Sequence, residues 1–274
     1  EYSDYVITEA GFGADMGAER FFNVKCRVSG LKPDAAVLVV TVRSLKSHSG
    51  LYKIVPGKPL PEGMLQESPS DVEKGAENLK KHIEIVRNFG VQPVVAINAF
   101  PTDFESEHET IRRIAEEAGA RVAIHRGVAE GGKGTTDLAN VVAEACDDVS
   151  DLKYTYDLED SIETKIEKVA TKVYGADGIS IAPAAAKQLK RFAELGYSHL
   201  PVVIAKTHLS ISSDATLKGA PTGWILPVRE VRLAAGAGYV YAICGTMRTM
   251  PGLSKSPAAE RIGFDENGVM VGLS

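Results

Sequence analysis

Apolar residues gather in short runs along this chain, and the strongest runs are continuous rather than alternating with polar residues. The two clearest are AAVLVV at residues 35–40 and VVAI at residues 94–97. Continuous runs of this length are typical of strands covered on both faces, as in a parallel sheet. The pattern predicts strands at residues 4–8, 36–42, 93–98, 121–125, 154–156, 179–181, 201–205 and 238–243.

Amphipathic helical patterns separate these runs. Residues 72–89 place Leu79, Ile83 and Val86 on one face, and similar stripes recur at residues 111–118, 138–145 and 161–173. Ser161 is placed to cap the last of these helices. The alternation predicts an α/β fold, a mostly parallel sheet flanked by helices, with ligands at the carboxyl ends of the strands. Two stretches lack this order, residues 44–70 and 210–227, and are predicted to be long loops.

Composition narrows the class of protein. The 274 residues are 44% hydrophobic and carry a net charge of −5, so nothing in the charge favours nucleic acid or an anionic membrane. No apolar run approaches the ~20 residues that span a bilayer. Three widely spaced cysteines, Cys26, Cys146 and Cys244, predict free thiols in a reducing compartment. Because a strand pattern starts almost at Glu1, we expect further polypeptide before it.

A glycine-containing loop follows the first predicted strand. Gly11, Gly13 and Gly17 have a G-x-G-x-x-x-G spacing, one residue longer than the common dinucleotide fingerprint. Such a loop lets backbone amides approach a phosphate, but Glu9 and Asp15 lie in it and would repel a pyrophosphate. Three interpretations stay open: a loop for a substrate other than a dinucleotide, NAD(P) binding, or a structural turn.

A second glycine-rich loop, residues 127–136, resembles a P-loop without completing it. Gly127, Gly132 and Lys133 match the pattern G-x-x-x-x-G-K, but Gly134 occupies the position where magnesium binding needs Ser or Thr. Thr135 lies one residue after the position where the P-loop pattern requires Ser or Thr. The sequence therefore disfavours an ATP-binding P-loop here, although the glycines and the helix that follows still offer amides to an anion.

The segment NAFPTD follows the strand at residues 93–98. Phe100 and Pro101 would form a rigid ledge at the strand's carboxyl end, on which a flat ring can stack. Thr102 and Glu105 have the spacing of a capping box that starts a helix. The two interpretations are compatible.

Cationic residues suggest anion contacts at two further strand ends. Arg43, Lys46 and His48 follow one predicted strand, and Lys206 follows another. Each is a candidate contact for a carboxylate or phosphate, with a solvated loop as the alternative. No histidine pair has zinc spacing, so we predict no metal site.

Taken together, these segments resemble the formate–tetrahydrofolate ligase (10-formyltetrahydrofolate synthetase) family across essentially the whole chain. The matching segments are TEAGFGADMG at residues 8–17, NAFPTD at 98–103, the glycines at 131–132, VYGADG at 173–178, LPVVIAKTHLS at 200–210, LPVREVR at 226–232 and GTMRTMPGL at 245–253. The resemblance places the chain in the C-terminal part of that enzyme.

The resemblance implies a reaction and a fold. ATP phosphorylates formate to formyl phosphate, and N10 of tetrahydrofolate then attacks the formyl carbon and displaces phosphate, with magnesium and cations offsetting charge. It implies a P-loop NTPase-like core, incomplete at its N-terminus, and three parts: residues 1–98, 99–178 and 179–274. The catalytic groups and P-loop are expected in the missing N-terminal half. A homotetramer, a cytoplasmic location and no tightly bound cofactor are also implied.

The resemblance assigns candidate contacts in a cleft for folate and nucleotide. Phe100 matches the family's pterin-stacking Phe, and Val128 stands where the family usually has a second aromatic, Trp. Loss of that ring would weaken stacking by about 1 kcal/mol. The candidate contacts are Asn98, Phe100, Pro101, Asp103, Val128, Gly131, Gly132, Gly11, Phe12 and Gly13. A non-catalytic remnant that folds and self-associates, and a nicotinamide-dependent oxidoreductase, remain as alternatives.

Overall fold

The computed structural model describes residues 3–55, 58–246 and 255–272. Its helices and strands alternate along most of this length. The helices are α1 (Gly17–Arg20), α2 (Arg27–Ser29), α3 (Val42–His48), α4 (Pro69–Asn88), α5 (Glu105–Glu117), α6 (Gly127–Glu130), α7 (Thr136–Cys146), α8 (Ile162–Lys172) and α9 (Pro183–Glu194). The strands are β1 (Ala35–Val40), β2 (Gln92–Asn98), β3 (Arg121–His125), β4 (Gly178–Ile181), β5 (Val202–Ala205), β6 (Ile225–Ala234), β7 (Tyr239–Cys244), β8 (Gly263–Phe264) and β9 (Met270–Val271). A π-helical segment, Phe21–Cys26, joins α1 to α2.

Sheet A contains β1, β2 and β3 in that order, and both pairings are parallel. The central strand β2 is covered on both faces, and Val94, Val95 and Ile97 are fully buried. Helices α4 and α5 cover the face that carries Val95 and Ile97, while α7 packs across all three strands. On β1, Val37 and Val39 stay 43% and 68% exposed. The outer strand is therefore only partly covered within the described residues.

Sheet B has the order β4-β6-β7-β5 and is mixed. The outer pairs, β4 with β6 and β5 with β7, are parallel, and the central pair β6 and β7 is antiparallel. A large hydrophobic core joins this sheet to α8, α9 and the helical stretch at residues 17–29. The strands β8 and β9 form a separate short antiparallel pair.

The predicted fold class is confirmed: the protein is α/β, and four of the six strand pairings among the described residues are parallel. Six of the eight predicted strands exist, with ends that differ by at most two residues. The helix opened by Ser161 is also confirmed, because its hydroxyl accepts a hydrogen bond from Thr164 N at 3.1 Å. All three cysteines are free thiols, as predicted. The proposed division after residue 98 falls between β2 and β3 of one sheet, and it stays a proposal.

Two strand predictions are wrong. Residues 4–8 have the apolar pattern of a strand but no ladder partner among the described residues, so Val6 and Ile7 are 82% and 91% exposed. Residues 154–156 are held by side chains instead of a ladder. The Tyr156 hydroxyl accepts a hydrogen bond from Val202 N at 3.0 Å, and the Arg27 guanidinium lies 3.8 Å from the centre of the Tyr154 ring.

Both predicted loops contain regular structure. Residues 44–70 begin inside α3, include the 3-10 helix Glu62–Leu65 and end at the start of α4. Strand β6 begins at residue 225, inside the stretch predicted to be irregular. Its signal is the spacing of Leu226, Val228 and Val231, all buried, which Pro227 and the charged residues between them obscure.

Candidate functional site

Three loops meet at the carboxyl edge of sheet A because all three strands run in the same direction. They follow Val40, Asn98 and His125, the last residues of β1, β2 and β3. Asn98 pairs with His125 in the register of the sheet, and Ala99 N donates to His125 O at 3.1 Å. The sequence did not single out His125, although it ends a predicted strand. Its Nδ1 is buried without a hydrogen-bond partner among the described residues.

Phe100 and Pro101 begin a tight turn at this edge. Phe100 N donates to Asp103 Oδ2 at 2.9 Å, and Asp103 N donates to Phe100 O at 3.0 Å. The same carboxylate lies 3.2 Å from His108 Nε2, and both side chains are 3% exposed. Phe100 is half-buried and Pro101 is exposed. The buried Asp103 carboxylate therefore fixes the turn, and the Phe-Pro ledge remains accessible.

Helix α5 starts differently from the prediction. It begins at Glu105, with Phe104 as the N-cap residue, and Phe104 N donates to Glu107 Oε2 at 3.3 Å. The predicted box between Thr102 and Glu105 is wrong because Asp103 is used to close the turn and the helix starts two residues later. Thr102 is left to accept a hydrogen bond from Arg43.

Arg43 lies on α3 and reaches the ledge from the neighbouring strand end. Its guanidinium carbon is 4.2 Å from the centre of the Phe100 ring, and Nη2 donates to Thr102 Oγ1 at 2.9 Å. Its Nε is buried and has no acceptor among the described residues. A guanidinium over an aromatic face is a favourable cation–π arrangement. Arg43 therefore supports Phe100 and carries positive charge at the edge of the sheet.

The third loop is shaped by glycine. Val128 lies on the short helix α6 and is 91% exposed. Gly131 has φ 60° and ψ −146°, a conformation that side chains disfavour, and Gly132 is exposed. A Cβ on Gly127 would lie 2.4 Å from His125 Cε1. The hydroxyl of Thr135 donates to Gly132 O at 2.7 Å, so this residue is engaged within the loop.

The Gly11–Gly17 loop presents a second aromatic ring. Phe12 has φ 65° and is 67% exposed, and it stacks on His208 with ring centres 5.4 Å apart. A Cβ on Gly17 would lie 2.0 Å from Gly11 O, so the helix that follows closes tightly on the loop. A Cβ on Gly13 would meet His82 of α4 at 2.8 Å.

Of the four cationic candidates, Lys46, His48 and Lys206 are engaged inside the protein. Lys46 is 1% exposed and pairs with Glu107 at 2.5 Å. Burial, together with nearby Lys218, lowers the pKa of His48 to about 4, so its ring is neutral at pH 7. Its Nδ1 accepts from Gly219 N at 3.2 Å.

Lys206 is paired with Asp15 and is equally buried. The three residues Arg43, Lys46 and His48 lie on a helix rather than in the predicted loop. Arg43 is therefore the one of the four whose charge reaches the edge described above. Helix geometry places His48 about 7.5 Å along α3 from Arg43.

No group of three or more His, Cys, Asp or Glu side chains among the described residues is arranged to hold a metal ion. No helix in residues 3–55, 58–246 and 255–272 is long and apolar enough to cross a membrane.

The family model described as formate–tetrahydrofolate ligase matches residues 1–274. A formate–tetrahydrofolate ligase of Cutibacterium acnes is 66% identical over 270 residues, which is 98% of this chain and 48% of that protein. One from Saccharopolyspora erythraea is 63% identical over 99% of this chain and 48% of its own length. Formate–tetrahydrofolate ligase 3 of Rubrobacter xylanophilus is 56% identical over 99% of this chain and 49% of its own length. The chain thus spans about half the length of these relatives.

Proposed function

Because the chain belongs to the formate–tetrahydrofolate ligase family, we propose that it forms the folate-binding wall of an ATP-dependent ligase that makes 10-formyltetrahydrofolate. The observation that carries the proposal is the ledge at the carboxyl edge of sheet A. Phe100 is half-buried, Pro101 is exposed, and Arg43 supports the ring from one side. A pterin is a flat ring of the kind that stacks on such a surface.

Each neighbouring group has a role in this proposal. Asp103 fixes the ledge, and Asn98 ends the strand that leads into it. Gly131 and Gly132 leave space beside Val128 for the ring or for the phosphates of ATP. Arg43 offers positive charge to an anionic part of a substrate. Phe12, on the Gly11–Gly17 loop, supplies a second aromatic surface. These residues bind and orient the substrates. They do not supply the phosphate cradle for the transfer of phosphate from ATP to formate.

Further polypeptide is part of the proposal. The 274 residues contain no G-x-x-x-x-G-K-[ST] segment, and the relatives are about twice as long. Val37 and Val39 on β1, and Val6 and Ile7 before it, are large exposed apolar residues that a partner surface would bury. We propose that the N-terminal half of the enzyme covers them and brings the magnesium-bound ATP site. The complete enzyme is proposed to be a cytoplasmic homotetramer.

Tetrahydrofolate titration of this chain tests the proposal. Phe100→Ala should weaken tetrahydrofolate binding about tenfold, or about 1.4 kcal/mol, because stacking on an aromatic ring is lost. ATP affinity should change less, in this chain and in the complete enzyme. Phe264→Ala is the control, since Phe264 is 72% exposed on β8. Unchanged folate affinity in Phe100→Ala would remove the ledge from the site.

The activity of the chain by itself is a second test. Incubation with formate, ATP and tetrahydrofolate should give no 10-formyltetrahydrofolate, because the phosphate cradle is proposed to lie in other polypeptide. Product formation at a rate typical of an enzyme would contradict that part of the proposal.

A further inference from the structure

A buried ion pair lies beneath the Gly11–Gly17 loop. Lys206 Nζ is 2.5 Å from Asp15 Oδ2, and the two side chains are 0% and 7% exposed. The ammonium also donates to Ser210 O at 2.7 Å and to Thr207 O at 3.3 Å. A lysine has three donors, and all three are used inside the protein. Lys206 therefore has no free donor for a substrate anion.

The pair joins two loops that are 191 residues apart in sequence. Asp15 lies in the Gly11–Gly17 loop, three residues after Phe12, and Lys206 follows β5 and precedes His208 by two residues. Phe12 and His208 are the residues whose rings stack, at an interplanar angle of 28°. The buried ion pair and the exposed ring stack thus join the same two segments. We call these four residues, Phe12, Asp15, Lys206 and His208, the clamp.

Phe12 needs such support. It is the one residue other than glycine with a positive φ among the described residues, and it is 67% exposed. The left-handed conformation is unfavourable for a residue with a side chain and persists only where the surroundings hold it. An exposed aromatic ring gains little from burial, so packing of the ring itself cannot be what maintains this conformation.

We propose that Asp15 and Lys206 are a positioning pair that holds the Phe12–His208 stack outward, as an aromatic wall for the flat ring of a folate. This inference rests on the proposed function. Neither member of the pair touches the substrate in it. They act through Phe12, and the effect of changing them on ligand binding must therefore pass through the ring stack.

The ring stack can be followed without any ligand. The chain has six histidines, and the NMR signals of His208 can be assigned by comparison with His208→Gln. Phe12→Ala defines the position of the His208 signals when the stack is absent. Lys206→Met should move them to the same position. His208 signals that stay at the wild-type position in a folded Lys206→Met protein would overturn the inference.

A double-mutant cycle then asks whether the pair acts through Phe12. Phe12→Ala should weaken tetrahydrofolate binding about fivefold, and Lys206→Met should weaken it by about the same factor. The double variant should be no weaker than either single variant. Independent effects that multiply to about 25-fold would show that Lys206 does not act through the stack.

Lys165→Met is the matched control. Lys165 is also 0% exposed, but it donates to Ser198 O and Leu200 O at the other end of β5. It should leave the His208 signals and the folate affinity unchanged. If Lys206→Met fails to fold by circular dichroism, Asp15→Asn keeps the shape of the acceptor and removes its charge. It should shift the His208 signals in the same direction by less, and unshifted signals in folded Asp15→Asn would overturn the clamp.

A wild-type chain that does not bind tetrahydrofolate would overturn the proposed function. The His208 signals would still show whether the ion pair holds the stack.

Discussion

The two sheets of this protein differ in how completely they are covered. In sheet B, Leu226, Val231 and Val240 are fully buried in a core that includes α8 and α9. In sheet A, the strand β1 leaves Val37 and Val39 exposed, and the carboxyl edge carries Phe100 and Arg43 at the surface. Sheet B therefore lies in a covered core, to which α4 also contributes Ile85 and Val86. Sheet A leaves side chains accessible at its outer strand and at its carboxyl edge, and these are the surfaces that we propose for further polypeptide and for a ligand.

The regions around the two sheets nevertheless share one structural feature. Each has a buried lysine–carboxylate pair next to an aromatic ring at the surface. Lys46 and Glu107 join α3 to α5, which fixes Arg43 of α3 against Phe100 just before α5. In the other region the Asp15–Lys206 pair underlies Phe12. A buried pair is weak evidence for net stability, but it fixes geometry strongly once formed.

The largest expected effect is on the Lys46–Glu107 pair. Lys46→Met should lower the free energy of unfolding by about 3–5 kcal/mol, because the buried Glu107 carboxylate loses its cationic partner. Urea denaturation followed by circular dichroism measures it. Lys80→Met is the control, since Lys80 and Glu77 form an exposed pair and the change should cost less than about 0.5 kcal/mol. Equal losses in the two variants would contradict the role given to burial.

The difference in coverage predicts the next effect. Val240→Ala in sheet B should cost about 2–3 kcal/mol of unfolding free energy, because it opens a cavity in a covered core. Val39→Ala in sheet A should cost less than about 0.5 kcal/mol in this chain, since Val39 is 68% exposed. Chemical denaturation of both variants tests the comparison. Similar losses would mean that the β1 face is covered in solution.

A third effect depends on pH and concerns Glu19, a buried residue of α1. Its backbone N donates a hydrogen bond to the oxygen of Ala14, the residue before Asp15. Burial raises the pKa of Glu19 from 4.5 to about 7, and the hydrogen bond from Asn23 only partly offsets it. Between pH 4.5 and 7 the folded state holds a proton that the unfolded state has lost, so stability falls as pH rises through this window. Above pH 7 the Glu19 carboxylate is charged in the folded and in the unfolded state, and the stability that protonation contributed is fully lost.

Glu19→Gln should therefore raise the unfolding free energy by about 1–3 kcal/mol at pH 8 and change it little at pH 4. Thermal or urea unfolding at the two pH values measures the difference. The amide oxygen can still accept from Asn23 Nδ2, which lies 2.8 Å from Glu19 Oε1. An equal gain at both pH values would show that the carboxylate does not titrate in this window.

The sequence predicts the parallel sheet better than the mixed one. The runs that form β2 and β3 are continuous and have clear ends, so their positions and the loops that follow them can be read from the pattern. In sheet B, β6 contains Pro227 and alternates irregularly, and its pairing with β7 has a register shift between Val228 and Glu230. Local patterns do not carry that information because the partner strand supplies it.

The residues of the candidate site also differ in how well the sequence predicts them. The Phe-Pro ledge is predictable because residue type and strand end together define it. The partners of Lys46 and Lys206 are not, since Glu107 and Asp15 lie 61 and 191 residues away in sequence and only the fold brings them close. A lysine after a strand looks the same in sequence whether it faces a ligand or a buried carboxylate.

The smallest expected effect comes from adding an aromatic ring beside the carboxyl edge of sheet A. Val128 is 91% exposed, so Val128→Trp adds an indole without displacing packed atoms. If the ring reaches the pterin opposite the ledge, tetrahydrofolate should bind about fivefold more tightly, equivalent to about 1 kcal/mol, while ATP affinity stays unchanged. Val149→Trp is the matched control, because Val149 is 88% exposed beyond α7. Equal gains at the two positions would mean that the indole adds only general hydrophobic contact. A gain at Val128 alone would mean that the third loop faces the same ligand as the ledge, and that sheet A holds its substrate between two strand ends.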